Sequence, residues 1–253
     1  MKKIILYIEI IILVAIILLC GYELWKVSEQ YVQEEKVREE MLKYYPQNYE
    51  RSIECYLENV SETNENKFIV NLQNDINKDI VGWITIPSTK INYPFVIAIN
   101  NEFYLRRDIH KKKANAGTIF MDYRCNKNFT DFNNIMYGHN MKEGGGMFSE
   151  LKLFADKEFF ETNRYGILFL EDKTYILEIF AYMLVKSNDR VVYKTSVEEN
   201  ELFEYAKKAA KNYREPEIKG NIVTLSTCSY EFDNARIILM ACLKRDGAFS
   251  DKI

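Results

Sequence analysis

The residues with the clearest chemical potential are a cysteine, a histidine and an arginine that lie far apart in the sequence. Cys228 ends the stretch TLSTC at 224–228, Arg236 follows eight residues later, and His139 lies upstream in the stretch YGHN at 137–140. A thiol becomes a strong nucleophile near neutral pH when an imidazole lies close to it. Acyl transfer also needs a cation or fixed donors where the oxyanion develops. The three residue types therefore predict cysteine-based acyl transfer if the fold brings them together.

Each of these residues also has a purely structural explanation. A cysteine in a strand can be a small packed residue, and an arginine that opens an apolar strand often forms a surface salt bridge. However, Cys228 shares its face of the strand with Thr224 and Ser226, a polar set that is typical of a groove floor. His139 follows a glycine and precedes a loop that continues to the glycines at 144–146, which makes it a poor core residue. These contexts favour the chemical interpretation.

The elements that position these residues are predicted to be mainly β-strands. Short apolar or alternating runs predict eight strands after residue 80. The predicted strands are Val81–Ile86, Ile91–Val96, Gly117–Asp122, Asn134–Gly138, Gly166–Glu171, Thr174–Lys186, Asn221–Cys228 and Arg236–Lys244. Eight short strands predict a closed β-barrel in which the strand of Cys228 lies beside the strand of Arg236 and near the loop after Gly138.

Helical spacing of apolar residues predicts helices around this barrel. A helical pair is predicted over Ser28–Tyr45 and Asn48–Val60, and a further helix over Phe68–Ile80 leads into the first strand. Ser196 and Glu199 have the spacing of a capping box, which predicts a helix through about residue 213, between the sixth and seventh strands.

The N-terminus predicts a single membrane-spanning helix. Ile4–Tyr22 is apolar apart from Glu9, and at 1.5 Å per residue it is long enough to cross about 30 Å of hydrocarbon. Lys2 and Lys3 precede it, which favours a cytoplasmic N-terminus and an extracellular catalytic part. A cleavable signal peptide is the alternative, and Cys20 raises lipidation as a second one. No small-x-small cleavage site follows the apolar run, so we favour an uncleaved anchor in the cell membrane.

Composition limits the other possibilities. The chain has 253 residues, enough for one good core, and a formal net charge of −3, which gives no basic field for a nucleic-acid partner. Its five cysteines form no CxxC pair and no disulfide framework, and there are only two histidines. We therefore predict no metal site and no cofactor.

Four ordered blocks of sequence resemble the sortases, the membrane-anchored cysteine transpeptidases of Gram-positive bacteria. Besides the cysteine and histidine blocks, WITIPSTKINYP at 83–94, NEFYL at 101–105 and GTIFMDYR at 117–124 are similar to the pattern of class B members. The resemblance runs from about Ile76 to the last strand. Class B members often have an acidic residue directly after the cysteine, where this chain has Ser229.

The resemblance implies a fold, a site and a reaction. The fold is an eight-stranded sortase barrel with an N-terminal helical bundle. The implied domains are an anchor at 1–25, a helical region at 26–75 and a catalytic barrel at 76–253. The implied catalytic residues are His139, Cys228 and Arg236, and the implied substrate-binding residues are Asn101, Leu105 and Ser226.

The implied reaction is cleavage of a sorting motif at a Thr carbonyl through a thioester. The partners would be surface proteins with that motif and an amine of the peptidoglycan cross-bridge or of its lipid-linked precursor. Two alternatives stay open: a sortase that polymerises pilins, and a catalytically silent binding module tethered to the membrane.

Overall fold

The computed structural model describes residues 2–46, 66–141, 146–217 and 219–245. It contains nine strands in these ranges: β1 Ile80–Thr85, β2 Asn92–Ile97, β3 Phe120–Met121, β4 Asn133–Tyr137, β5 Tyr165–Leu170, β6 Thr174–Lys186, β7 Asn212–Tyr213, β8 Ile222–Cys228 and β9 Ala235–Arg245. The α-helices are α1 Lys2–Leu42, α2 Lys67–Asp75, α3 Lys157–Thr162 and α4 Glu199–Ala209. Short 3-10 helices occupy Phe103–Arg106 and Ser149–Ala155.

Eight of the strands close into a barrel, as predicted. Neighbouring strands follow the order β5-β1-β2-β3-β4-β8-β9-β6, and β6 pairs back with β5. The pairs β2–β3 and β4–β8 are parallel, whereas the other pairs are antiparallel. The two-residue strand β7 pairs with β6 outside this ring and was not predicted. The barrel brings the ends of β4 and β8 and the start of β9 together at one rim.

Three clusters of buried side chains stabilise the barrel. The first fills its interior and draws on all eight barrel strands, with Val223 and Leu225 of β8 facing inward. The second lies between the outer face of β1 and the helices α1 and α2, where Trp83 and Met41 are buried. The third lies beneath α4, whose Phe203 packs against β6 and β9. Apolar burial on both faces of these strands explains their continuous apolar runs.

The N-terminal helix is longer than predicted. We predicted a membrane span and a separate helix over Ser28–Tyr45, but α1 continues from Lys2 to Leu42 and ends ahead of Pro46. Because the sequence between the two predicted helices contains neither proline nor a cluster of turn residues, nothing interrupts the helical hydrogen bonds. The start of α1 is apolar enough to cross a membrane, with a mean hydropathy of 3.0 over 18 residues. The predicted helix Asn48–Val60 lies outside the described residues.

Three predicted boundaries were wrong for local reasons. The helix predicted over Phe68–Ile80 ends at Asp75, because the Asn77 side chain bonds to the backbone of neighbouring segments and stops the helix. The capping box does not form, since α4 begins at Glu199 with Glu198 as an N-cap that makes no side-chain cap. The same helix ends at Ala209, where the chain turns into β7 instead of continuing to residue 213.

The third predicted strand was also too long. Instead of Gly117–Asp122 it has two residues, Phe120–Met121. Gly117 has a φ of +60°, and the next residue, Thr118, donates its backbone N–H to the Tyr104 carbonyl rather than to a strand. The start of the predicted strand therefore packs against the 3-10 helix at Phe103–Arg106.

Candidate active site

Cys228 and Arg236 are direct neighbours across two antiparallel strands. Cys228 ends β8, Arg236 is the second residue of β9, and the two residues are register partners. The Ser229 backbone N–H donates to the Ala235 carbonyl at 2.9 Å, which closes the connection between the strands. Nη1 of Arg236 donates to the same carbonyl, also at 2.9 Å. The prediction that these two strands lie side by side is confirmed.

The histidine segment is attached to the end of β8 at two points. β4 runs parallel to β8, and the N–H of Gly138 continues the ladder by donating to the Ser226 carbonyl at 3.2 Å. Beyond the histidine, Nδ2 of Asn140 donates to the Cys228 carbonyl at 2.8 Å. His139 thus lies between two contacts to the strand of the cysteine. The hydrogen bond from Asn140 to Cys228 was not predicted, although Asn140 is the last residue of the YGHN stretch.

The His139 ring is oriented by a backbone carbonyl. Its Nε2 lies 2.7 Å from the carbonyl oxygen of Leu105. Because a carbonyl can only accept, Nε2 carries the proton and Nδ1 is the acceptor of the neutral ring. Gly117 makes this arrangement possible, since a Cβ at this position would lie 2.6 Å from the carbonyl oxygen of Tyr104 and 2.7 Å from the carbonyl oxygen of Leu105. Leu105 therefore contributes its backbone to the site as well as its side chain.

Ser149 and Phe148 bond to the backbone on either side of residues 142–145. The Ser149 hydroxyl bonds to the backbone of Met141 and Gly146 at 2.6 Å each. The fully buried Phe148 donates its backbone N–H to the His139 carbonyl at 3.1 Å, and its ring packs against Gly138. The backbone around His139 is thus fixed by core packing.

One cavity of about 360 Å³ collects the six predicted site residues, and we call it the Cys228 cavity. Its lining consists of Asn101, Leu105, Phe120, Tyr137, Gly138, His139, Ser187, Tyr193, Ser226, Thr227, Cys228 and Arg236. A larger cavity of about 610 Å³ lies between α1 and the barrel, but it is lined by none of the three predicted catalytic residues. The smaller cavity is the candidate site because Cys228, His139 and Arg236 all line it.

Two tyrosines form a wall of the Cys228 cavity that the sequence did not identify. The Tyr137 and Tyr193 rings are stacked with their centroids 6.3 Å apart. The Tyr193 hydroxyl bonds to the Ser226 hydroxyl at 2.9 Å, and Ser226 itself is almost fully buried. Burial raises the pKa of both phenols, so they act as neutral hydrogen-bonding groups. Aromatic residues beside strands usually indicate core packing, which is why they were overlooked.

The environment of Cys228 differs from that of the other cysteines in the barrel. Cys228 is half-buried and lines the cavity, whereas Cys125 and Cys242 are buried. Burial raises the pKa of the Cys125 thiol to about 11 and that of the Cys242 thiol to about 12. Both buried thiols stay protonated and inert at neutral pH. Among the cysteines of the described barrel, Cys228 is thus the one placed for chemistry.

A closed barrel whose rim combines a half-buried thiol, an imidazole and a guanidinium defines a thiol acyltransferase. The Sortase domain family matches residues 84–244. Sortase B of Listeria monocytogenes is 32% identical to the chain over 74% of it and 80% of the relative. The chain belongs to the sortase family of cysteine transpeptidases, and its relatives are class B sortases.

Solved structures agree with this assignment. The Clostridium perfringens sortase B structure is 35% identical, has a TM-score of 0.64, and the match covers 69% of this chain and 98% of that one. The Bacillus anthracis sortase B structure, in complex with AAEK1, is 32% identical with a TM-score of 0.71. That match covers 86% of this chain and 99% of the other.

Proposed function

We propose that this protein cleaves a sorting motif in secreted proteins at a Thr carbonyl and transfers the new carboxyl end to a cell-wall amine. The observation that supports the proposal is the convergence of Cys228, His139 and Arg236 on the Cys228 cavity. These are the groups that a thioester mechanism needs: a nucleophile, a proton carrier and a cation for the oxyanion.

In the first half-reaction, the Cys228 thiol gives its proton to His139 and Sγ attacks the Thr carbonyl carbon. A C–S bond forms, the peptide C–N bond breaks, and the leaving amine takes that proton from His139. Because Nε2 of His139 faces the Leu105 carbonyl, Nδ1 is the nitrogen that exchanges protons. In the second half-reaction an acceptor amine gives a proton to His139 and attacks the thioester. A new C–N bond then replaces the C–S bond and releases the thiolate, which takes the proton back from His139.

Arg236 stabilises the oxyanion or holds the substrate backbone in this proposal. A guanidinium has five N–H donors in a planar fork, and Ala235 accepts from Nη1. Arg236 lines the same cavity as Cys228 and is its register partner, and in this proposal its other donors bind an oxygen on the attacked carbon.

The substrate peptide would lie along the lining of the Cys228 cavity. We propose that Asn101 contacts the peptide through its amide and Leu105 through its side chain, which is 40% exposed. Ser226 is almost fully buried, so its contribution would pass through the Tyr193 hydroxyl that it binds. The thioester acceptor would be the amine of a peptidoglycan cross-bridge or of its lipid-linked precursor.

We further propose that the protein is a single-pass protein of the cell membrane with a cytoplasmic N-terminus. Support comes from Lys2 and Lys3 ahead of the apolar start of α1, which fits the positive-inside rule. The contacts of α1 with the barrel begin at Gln30, which accepts from Asn115 at 2.6 Å. Domain boundaries near residues 25 and 75 remain part of this proposal.

The experiment uses the full-length protein in detergent and a library of fluorogenic peptides with a fixed Thr. Wild type should cleave some members, and hydroxylamine should trap the acyl group as a Thr hydroxamate. Cys228→Ala should abolish both products, while Cys242→Ala, a matched change of a buried thiol, should keep them. Offering a cross-bridge peptide or a lysine-bearing pilin peptide as acceptor separates wall attachment from pilin polymerisation.

One result would replace this proposal with a silent binding module. Wild type would then bind library peptides but form neither a hydroxamate nor a peptide adduct on Cys228, as judged by mass spectrometry.

A further inference from the structure

Five hydrogen bonds converge on the carboxylate of Asp122, which lies completely buried behind the wall of the Cys228 cavity. Oδ1 accepts from the backbone N–H and the Nε of Arg124 at 3.0 and 2.8 Å. Oδ2 accepts from Arg124 Nη2 at 2.8 Å, from the Tyr137 hydroxyl at 2.9 Å and from Nδ2 of Asn101 at 3.0 Å. A carboxylate offers about four lone-pair sites, so Asp122 has no capacity left for a substrate.

Two of these donors belong to residues that line the cavity. The Tyr137 hydroxyl gives its single proton to Asp122, so its oxygen can act only as an acceptor toward a ligand. Asn101 is held at both ends of its amide, because its Oδ1 also accepts from the Tyr123 N–H at 3.0 Å. Only one orientation of the amide satisfies both bonds. That orientation leaves one N–H of Asn101 as a donor for a ligand.

Arg124 extends the same network to a third segment. Its Nη2 also donates to the Tyr193 carbonyl at 3.1 Å, in the connection between β6 and α4. The ion pair therefore joins the loop after β2, the end of β4 and the β6–α4 connection. Burial alone would raise the pKa of Asp122, but the hydrogen bonds from Arg124, Tyr137 and Asn101 hold it below its ordinary value. The carboxylate stays ionised at neutral pH and can accept all five bonds.

We propose that Asp122, paired with Arg124, is a positioning residue for substrate binding. It does not touch the peptide, but it fixes the Asn101 amide and the Tyr137 hydroxyl as one N–H donor and one oxygen acceptor. Such a pair complements the C=O and N–H of an amide group in the substrate. The inference rests on the proposed function, because it concerns how the same cavity recognises its peptide.

The test compares two Asp→Asn variants of the full-length protein with the best-cleaved library peptide. Asp122→Asn keeps the shape but replaces one acceptor oxygen by an NH₂ group that faces donors, so Asn101 and Tyr137 lose their fixed orientation. We expect KM to rise about tenfold, the effect of one or two lost hydrogen bonds to a charged group, with kcat nearly unchanged. Alkylation of Cys228 by iodoacetamide should keep its wild-type rate, because this small reagent needs no amide recognition.

The matched control is Asp131→Asn, which alters the same loop. Asp131 accepts from the Asn126 backbone N–H at 2.5 Å and contacts neither Asn101 nor Tyr137 through its side chain in the described residues. Its KM should stay at the wild-type value. An unchanged KM in folded Asp122→Asn would overturn the inference. A loss of iodoacetamide reactivity in Asp122→Asn would also overturn it, because it would indicate general damage to the site.

Two further measurements cover other outcomes. If Asp122→Asn does not fold, Arg124→Lys replaces it, since this side chain is 43% exposed and keeps its charge while losing the fork. We then expect about a threefold rise in KM, which corresponds roughly to the smallest free energy typical of one lost hydrogen bond, and an unchanged KM would refute the inference.

If wild type cleaves no peptide, the proposed function fails. Fluorescence anisotropy then measures peptide binding to Cys228→Ala with and without Asp122→Asn. Tenfold weaker binding supports the positioning role, whereas equal binding refutes it.

Discussion

Substitution of Gly138 by alanine tests whether core packing sets the position of His139, the proposed catalytic histidine. Gly138 precedes His139 and continues β4 with a hydrogen bond to the Ser226 carbonyl at 3.2 Å. An alanine Cβ would lie 2.7 Å from Cδ2 and 2.8 Å from Cγ of Phe148. Because Phe148 is fully buried within the barrel cluster, its ring has no space to move into. The backbone at Gly138 must move instead.

The size of the effect follows from these distances. The contact falls about 0.7 Å short of an ordinary van der Waals separation of 3.4 Å, so the backbone at Gly138 must shift by about that amount. Overpacking of this kind typically costs about 1–3 kcal/mol of stability, which lowers Tm by roughly 2–12 °C for a protein of this size. A catalytic group displaced by about 1 Å can lose about 100-fold in rate. We therefore expect kcat/KM to fall about 10–100-fold.

The assay combines peptide cleavage with thermal unfolding and uses two companion variants. Gly220→Ala is the control, because its Cβ would meet only the Leu243 carbonyl at an ordinary 3.7 Å and should change neither quantity. The double variant Gly138→Ala/Phe148→Leu removes the clashing ring atoms and should recover part of the lost kcat/KM. Wild-type kinetics and Tm in Gly138→Ala would refute the reasoning. So would an activity loss that Phe148→Leu leaves unrelieved.

Three further predictions concern the cysteines, the arginine and a buried ion pair. Iodoacetamide at pH 8 should modify Cys228 at least about 100-fold faster than Cys242, whose thiol stays protonated; equal rates by mass spectrometry would contradict this. Arg236→Lys should lower kcat about 100-fold, because an ammonium lacks the planar fork, and a variant with more than half of the wild-type kcat would argue against an oxyanion role. Lys244→Met should cost about 1.5–3 kcal/mol in urea unfolding at pH 7, since the buried Glu178 carboxylate loses one of its two cationic partners while Arg164 stays in place. Burial alone would raise the pKa of Glu178, but its hydrogen bonds hold that pKa below the ordinary 4.5. Wild type should therefore lose this stabilisation only as the pH falls below about 4.5, and the cost of Lys244→Met should become smaller in that range.

The sequence predicted the strands best where burial is uniform. Thr174–Lys186 was predicted with the bounds that the structure shows, because a long apolar run buried on both faces has one simple interpretation. The strand predicted over Gly117–Asp122 was too long, because the backbone N–H of Thr118 bonds to the Tyr104 carbonyl and not to a neighbouring strand. Tyr104 lies outside the segment whose pattern predicted the strand. Local periodicity contains no information about such a partner. Errors therefore concentrate where a tertiary contact overrides the local pattern.

The same distinction applies to the site. All six predicted site residues line one cavity, because each belongs to a block with recognisable chemistry. Asp122 and Tyr193 lie 71 positions apart in the sequence, and only the fold reveals that Arg124 connects them. Asp122 belongs to the GTIFMDYR stretch at 117–124, but no role was predicted for it, because a single carboxylate in a sequence does not indicate which groups it binds. The supporting shell of a site is the part that sequence patterns describe least.

The backbone contacts at the rim explain why single substitutions can separate chemistry from folding. Cys228 is held through its carbonyl by Asn140, and His139 through its carbonyl by Phe148. None of these bonds involves the thiol, and within the described residues the imidazole contributes only its bond to Leu105. Because Cys228→Ala and His139→Ala leave the strand ladder and these backbone anchors in place, the cavity should keep its shape in both variants. A loss of turnover with unchanged Tm and peptide affinity can then be assigned to the missing nucleophile or proton carrier.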